Sequence, residues 1–192
     1  MAKSKGSQPN RDRPDRPNAA SRRAKRRRQW LISGGVVVII AGVVGYFAYR
    51  AVADLPGAIM PDQGNAHIQS ASEPHVAYNS SPPTSGPHLP YVAPWGIHNE
   101  PIVKELQVHN LEDGGVVVQY NCPTACPDLV GKLESIVKRY PDRVVLAPYP
   151  GMKSRIALTA WTRIDTFDDF DEARIVKFIA AYRGIDHHKG PE

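Results

Sequence analysis

The stretch GGVVVQYNCPTACPDLV, residues 114–130, decides how the fold is read. Gly114-Gly115 is a turn signal, and Val116-Val117-Val118-Gln119-Tyr120 is a short β-branched run of the kind that forms a buried strand. Cys122 and Cys126 follow in a brief loop. Pro127 suits the first position of a helix, and Asp128 suits its positive end. Leu129, Val130, Leu133, Ile136 and Val137 then recur at helical spacing until Pro141 stops the run.

Working towards the C-terminus, residues 144–146 read as a second strand and residues 148–151 as a turn. Residues 155–164 alternate Ile156, Leu158 and Ala160 against Ala157, Thr159 and Trp161, which predicts one third strand. Phe167 to Asp171 leads into a last helix near residues 172–182, with Ile175, Phe178, Ile179 and Tyr182 facing inward. The expected order is β-α-β-β-α, an α+β layer of helices on a small sheet. This domain is expected over residues 78–184, with a frayed polar end at 185–192.

Working towards the N-terminus, residues 54–101 contain nine prolines and no long periodic segment, which argues against regular helix. Residues 51–77 are expected to form a connector. Residues 78–101 hold Tyr78, His88, Tyr91, Trp95 and His98, and predict an ordered, irregular, proline-rich lead-in.

The net charge of +5 hides an asymmetry. Residues 1–29 carry eleven Lys/Arg and two Asp, while the remainder is net acidic. A basic tail is often a nucleic-acid footprint, but here it abuts WLISGGVVVIIAGVVGYFAY, residues 30–49, which holds no charge. Twenty residues rise about 30 Å, the hydrocarbon thickness of a bilayer. Trp30, Tyr46 and Tyr49 sit at its ends, where aromatic rings favour the interface. Residues 30–50 are therefore expected to be a transmembrane helix. Arg22, Arg23, Lys25, Arg26, Arg27 and Arg28 are expected to hold the disordered tail, residues 1–29, in the cytoplasm. The folded domain then lies outside, and the lipid bilayer, not nucleic acid, is the partner of the basic tail. Ala51-Val52-Ala53 resembles a signal cleavage site, yet the apolar run is longer than a typical signal core, which favours an uncleaved anchor.

All seven histidines and both cysteines follow the apolar run, as do Met60 and Met152. Imidazole, thiolate and thioether donors together suit copper. No H-E-x-x-H, G-x-S-x-G or P-loop pattern occurs, so no hydrolase or nucleotide site is indicated. If the proline-rich loop folds over the sheet, His75, His88, His109 and Met152 can converge as metal ligands. The competing role for these histidines is to hydrogen-bond backbone carbonyls and pin the loop. Cys122 and Cys126 offer a redox pair, a second metal site or one stabilising disulfide, since a cysteine at a helix N-terminus has a lowered thiol pKa.

Two resemblances add to this. The strand–Cys122-x-x-x-Cys126-Pro127–helix unit is similar to the thioredoxin-like copper-insertion proteins of cytochrome oxidase assembly, which implies a fold that is thioredoxin-like in part. More extensively, Tyr78-Asn-Ser-Ser-Pro-Pro-Thr-Ser-Gly-Pro-His88, Val108-His109-Asn-Leu-Glu112, Gly114-Gly115-Val116-Val117, Pro150-Gly151-Met152 and Ala157-Leu158-Thr159-Ala160-Trp161 resemble the bacterial domain of unknown function 3105, from about residue 62 to 184. That resemblance implies one N-terminal membrane span and no particular activity. The family's pattern reads Asn-Leu-Glu-His-Gly-Gly where this chain has Asp113. Three functions remain open: a copper-handling accessory module, a thiol–disulfide enzyme using Cys122 and Cys126, and a non-catalytic partner of an envelope protein or respiratory complex that presents the Tyr91–Trp95 loop.

Overall fold

The computed structural model describes residues 19–188, which divide into two compact units at Asp54 and Leu55. The first unit is dominated by α1 (Ala19–Ala53). Within it, Lys25–Phe47 is long and apolar enough to cross a membrane, and none of that stretch is buried. The helix starts upstream of the apolar run, so residues 19–29, expected to be disordered, are helical. The expectation for residues 1–18 lies outside the described residues.

The second unit is built on one mixed six-stranded sheet. In chain order its elements are β1 (Ala58–Ile59), β2 (Gly96–Ile97), α2 (Lys104–Glu112), β3 (Val116–Tyr120), α3 (Pro127–Val137), β4 (Val144–Pro148), β5 (Ile156–Ala160), β6 (Arg163–Phe167) and α4 (Glu172–Tyr182). The spatial order is β1-β6-β5-β3-β4-β2. β3 pairs with β4 in parallel and β4 with β2 in parallel. The β3–β5, β5–β6 and β6–β1 pairs are antiparallel.

Alternation along the strands splits the core into two layers. Val116 and Val118 of β3, Val144 and Leu146 of β4, and Ile156, Leu158 and Ala160 of β5 point to one face. There they meet Leu129, Leu133, Ile136 and Val137 of α3 and Ile175, Phe178 and Ile179 of α4. Val117, Val145 and Ala147 point to the other face and pack on Val108 and Leu111 of α2, with Trp95 and Trp161. α3 opens as its sequence requires, with Pro127 at the first helical position and Asp128 in the first turn. α4 is capped by Asp171, whose side chain accepts from the Arg174 N–H at 3.0 Å.

The α+β class stands, but three local expectations are corrected. First, residues 155–164 are not one strand. Trp161 and Thr162 turn the chain into a hairpin that registers Ala160 opposite Arg163. Thr162 has a positive φ of 56°, a rare conformation for a β-branched residue. The surrounding loop holds it: the Thr162 N–H donates to Thr84 O at 3.0 Å, and its carbonyl accepts from the Met60 N–H at 2.9 Å. Second, residues 104–112 form a helix that the expected β-α-β-β-α order does not include. α2 lacks a side-chain cap, and its buried half includes the polar Gln107, His109, Asn110 and Glu112. Both features erase the amphipathic pattern that marks a helix. Third, the segment expected to be a connector contributes β1 to the sheet edge, while Tyr182 donates its hydroxyl proton to Pro56 O at 2.6 Å.

The proline-rich lead-in is ordered and lies on the α2 side of the sheet. Thr84, Ser85, His88 and Leu89 are buried. The Ser81–Pro82 peptide is cis. Gly86 has φ of +119°, and a β-carbon there would press on the Tyr78 ring at 3.1 Å. Glycine is thus demanded by both backbone and space.

Candidate metal centre

The lead-in carries His67 and His88 to one place by backbone pairing. Their residues form an isolated parallel bridge, with the Ile68 N–H donating to His88 O at 2.8 Å and the His88 N–H donating to Ala66 O at 3.0 Å. The two imidazoles sit edge to face, 5.0 Å between centroids.

α2 supplies the other half. His109 and Glu112 are three residues apart in the helix and so share a face. His109 lies 5.1 Å from the His88 ring and 5.3 Å from the His67 ring, centroid to centroid. One donor atom from each of His67, His88, His109 and Glu112 can be chosen so that all four lie within 4.8 Å of one another. These four residues can hold one metal ion.

Glu112 is the hub. Its Oε2 is 2.8 Å from His88 Nε2, 3.7 Å from His67 Nε2 and 3.8 Å from His109 Nδ1. A tetrahedral ion with bonds of 2.0–2.1 Å separates its ligand atoms by about 3.3 Å, so these contacts bracket what an ion requires. The remaining oxygen, Oε1, accepts from the Asn65 side-chain amide at 2.7 Å. His88 is fully buried and held from behind, with Nδ1 donating to Gly86 O at 2.7 Å. That bond leaves Nε2 to face Glu112, the orientation a metal-binding imidazole needs. His109 Nδ1 is buried and has no hydrogen-bond partner. An unsatisfied buried nitrogen beside a carboxylate has a lone pair available to a metal ion.

The charges agree with this. Burial pushes the His109 pKa down, Asp113 and Glu112 oppose that shift, and His88 and His67 add to it, leaving it below the ordinary imidazole value. Burial alone would raise the Glu112 carboxyl, but hydrogen bonds from Asn65 and His88 and the nearby imidazoles hold it below its ordinary value. His109 is thus biased towards neutral imidazole and Glu112 towards the ionised carboxylate, the forms that bind metal.

The C-terminal segment also reaches the centre. The Gly184 N–H donates to Gly114 O at 2.7 Å and the His187 N–H donates to Glu112 O at 2.8 Å. His187 stacks on Trp161 at 5.8 Å, with 20° between planes. His188 Nε2 lies 3.5 Å from Glu112 Oε2 and 3.6 Å from Asp113 Oδ1. Residues 185–188, expected to fray, are tied to the domain, whereas 189–192 lie outside the described residues. The close approach is possible because Gly114 has φ of +74°, and a β-carbon there would meet the Ile185 backbone at 2.8 Å.

Of the four ligands expected from sequence, the structure brings His88 and His109 together and not His75 or Met152. His75 Nε2 faces Glu105 at 3.5 Å, and Nδ1 bonds to Val76 O at 2.8 Å. Glu105 precedes Glu112 by seven residues of one helix, about 10 Å along its axis. Met152 is buried beside Tyr149 and Ala157, and its carbonyl accepts from Asn121 just beyond the end of β3. The histidines cluster at the start of β3, where the Gly115 N–H donates to Asn110 O at 2.7 Å. Five residues of strand put about 15 Å between these ends. Met152 and His75 therefore lie apart from the donor group that the structure assembles, His67, His88, His109 and Glu112.

His67 and Glu112 went unrecognised in the sequence. The His-x-x-Glu spacing of residues 109–112 is a ligand signal only once a helix is assigned there. Nothing local marks His67, which owes its place to the pairing with His88. Cys122 and Cys126 are disulfide-bonded to each other, with 6.0 Å between Cα atoms, at the N-terminus of α3. They flank the far end of β3 and form no joint site with the histidines. Trp95 packs inward on the α2 layer while Tyr91 is exposed, so the loop between them presents no continuous aromatic patch.

Residues 69–192, nearly two thirds of the chain, match the model of a family described as a protein of unknown function (DUF3105). His88, His109 and Glu112 fall inside the match and His67 just precedes it. No curated protein and no solved structure matches the chain.

Proposed function

The chain belongs to the DUF3105 family, and from that premise we propose that it is a membrane-anchored metal-binding module whose α+β domain lies outside the cytoplasm. The observation that carries this reading is the convergence of His67, His88, His109 and Glu112. Three imidazoles and one carboxylate suit a divalent ion such as Zn²⁺ or Cu²⁺. Without a thioether in the set, copper enters in this reading as Cu²⁺ rather than Cu⁺. The apolar segment of α1 is the anchor, and the arginines before it keep the N-terminus cytoplasmic. Holding an ion at a half-open site fits an accessory that serves another envelope protein or respiratory complex.

The test uses the full chain purified in detergent and challenged separately with Zn²⁺ and Cu²⁺, with bound metal read by mass spectrometry. Retention in wild type, loss in the His88→Ala/His109→Ala double variant and retention in His75→Ala and Met152→Leu is the expected pattern. Wild-type protein that holds neither ion after desalting overturns the reading.

A second reading rests on the Cys122–Cys126 bond at the positive end of α3, where a thiolate is stabilised. In it the domain is a thiol–disulfide enzyme, thioredoxin-like in this one segment. Alkylation of Cys126 at neutral pH after mild reduction supports it, and a bridge that resists such reductant removes it.

A further inference from the structure

We infer that the centre is binuclear, with a second divalent cation held by His109 Nε2, Asp113 and His188 and joined to the first through the His109 ring. The inference rests on the metal-binding reading above and extends it.

His109 faces two donor sets with its two nitrogens. Nδ1 points at Glu112 Oε2 at 3.8 Å, on the side of His67 and His88. Nε2 points at Asp113 Oδ1, also at 3.8 Å. His188 adds its Nε2 at 3.6 Å from the same Asp113 oxygen. One donor atom from each of His109, Asp113 and His188 can be chosen so that all lie within 4.8 Å of one another. The two positions therefore share His109 and otherwise draw on different side chains. One ion cannot bind both nitrogens of a single imidazole, because their lone pairs diverge in the ring plane.

His188 is oriented as a ligand rather than as a stray surface side chain. Its Nδ1 bonds to Asp186 Oδ1 at 2.8 Å, and its backbone N–H donates to the same oxygen at 2.8 Å. A carboxylate behind one imidazole nitrogen fixes the tautomer and aims the other at a metal. The segment carrying it is anchored at three points: Gly184 to Gly114, His187 to the Glu112 carbonyl, and the His187 ring on Trp161. His188 Nε2 also lies 3.5 Å from Glu112 Oε2, which places the outer imidazole next to the inner carboxylate.

The two positions differ in character. The inner one is walled by fully buried His88 and Glu112, with His67 its exposed member, whereas the outer one pairs exposed His188 with half-buried Asp113. The inner ion is held more tightly, and the outer ion exchanges with solvent. When both are bound, each nitrogen of His109 donates its lone pair to one ion, and the ring N–H proton is released to solvent. No oxidation or reduction is involved.

Titration of the full chain in detergent with Cu²⁺, followed by bound-copper analysis and electron paramagnetic resonance, tests this. Wild type is expected to take two ions per chain, with an isolated Cu²⁺ signal growing to one equivalent and then losing intensity as the second couples to it. Asp113→Asn and His188→Ala are each expected to stop at one ion with an uncoupled signal. If wild type saturates at one ion and both variants do the same, the second site is overturned while the metal reading stands. Two ions in wild type and in both variants, still coupled, also overturn it. No ion in any form overturns both. Zn²⁺ stoichiometry measured in parallel gives the same count without relying on copper.

Discussion

Asn65 donates its side-chain amide to Oε1 of Glu112 at 2.7 Å, which turns Oε2 towards the three imidazoles. A residue of the proline-rich lead-in thereby sets the carboxylate of a helix that starts 39 positions later, at Lys104. Outer hydrogen bonds of this kind tune ligand geometry and basicity. Asn65→Ala is expected to weaken Zn²⁺ binding by about 10–100-fold while leaving the fold intact. Competition against a chelator of known affinity, with circular dichroism as the control, reads both. Unchanged affinity would mean that Glu112 is positioned by the helix alone.

Glu112→Gln removes the charge at the hub but keeps its shape. Metal retention should be lost in the inner position. In the metal-free protein, buried His88 and half-buried Asn65 lose a charged acceptor, which costs about 1.5–3 kcal/mol. Urea unfolding of the metal-free chain in detergent measures the second effect independently of the first.

Acid should release the metal and also weaken the metal-free domain. His109 titrates below the ordinary imidazole value because it is buried. The unfolded chain therefore binds its proton first as pH falls, and the stability held at neutral pH drains away below about pH 6.5, where the unfolded imidazole titrates. The depressed Glu112 carboxyl acts in the same direction lower down, losing its contribution as pH falls through its folded value. His188 has the opposite sign. Its hydrogen bond to Asp186 raises its pKa, so its contribution is present in acid and is lost as pH rises through the folded value. Metal retention and unfolding midpoint, followed from pH 8 to pH 4, should decline together. A midpoint that rises on acidification would show that His188 outweighs the buried pair.

Replacing Cys122 and Cys126 by serine opens a very short loop, so the loss of stability is expected to be about 2 kcal/mol. Metal content should not change, because the pair lies at the opposite end of β3 from the histidines. Loss of metal in this variant would tie the two sites together and contradict their separation.

Gly115→Ala is expected to be far more damaging than its size suggests. A β-carbon there would overlap Asn110 O and meet the Trp95 ring at 2.7 Å. Backbone and indole are both fixed by packing, so the change should cost about 2–4 kcal/mol and disturb the end of α2 that carries Glu112. A variant with wild-type stability and metal retention would show that this junction yields.

The elements legible in the sequence were those whose pattern repeats within a few residues. α3 and α4 showed themselves by apolar spacing, and β3 by its valines. α2 did not, because its inward face is partly polar: Gln107, His109, Asn110 and Glu112 are buried there for the site and for the loop above it. The hairpin after β5 was hidden by Trp161-Thr162, which has none of the Gly or Asn that usually marks such a turn. In the centre, His88 and His109 were visible because they stand in distinctive strings. His67 was not, since its partner is 21 positions away and only strand pairing unites them. His75 and Met152 looked equally eligible by type, and only distance removes them.

The ligands at positions 67, 88, 109 and 112 come from two strand-like segments and a helix, and no two of the histidines are near neighbours in the chain. An unfolded chain offers no such centre. On the metal-binding reading proposed above, capture of an ion follows folding, because the donors meet only in the folded chain. On that reading, the ion captured is the one present where the sheet, α2 and the lead-in finally assemble. The proposed centre then takes its metal from the place of folding as much as from its donor chemistry.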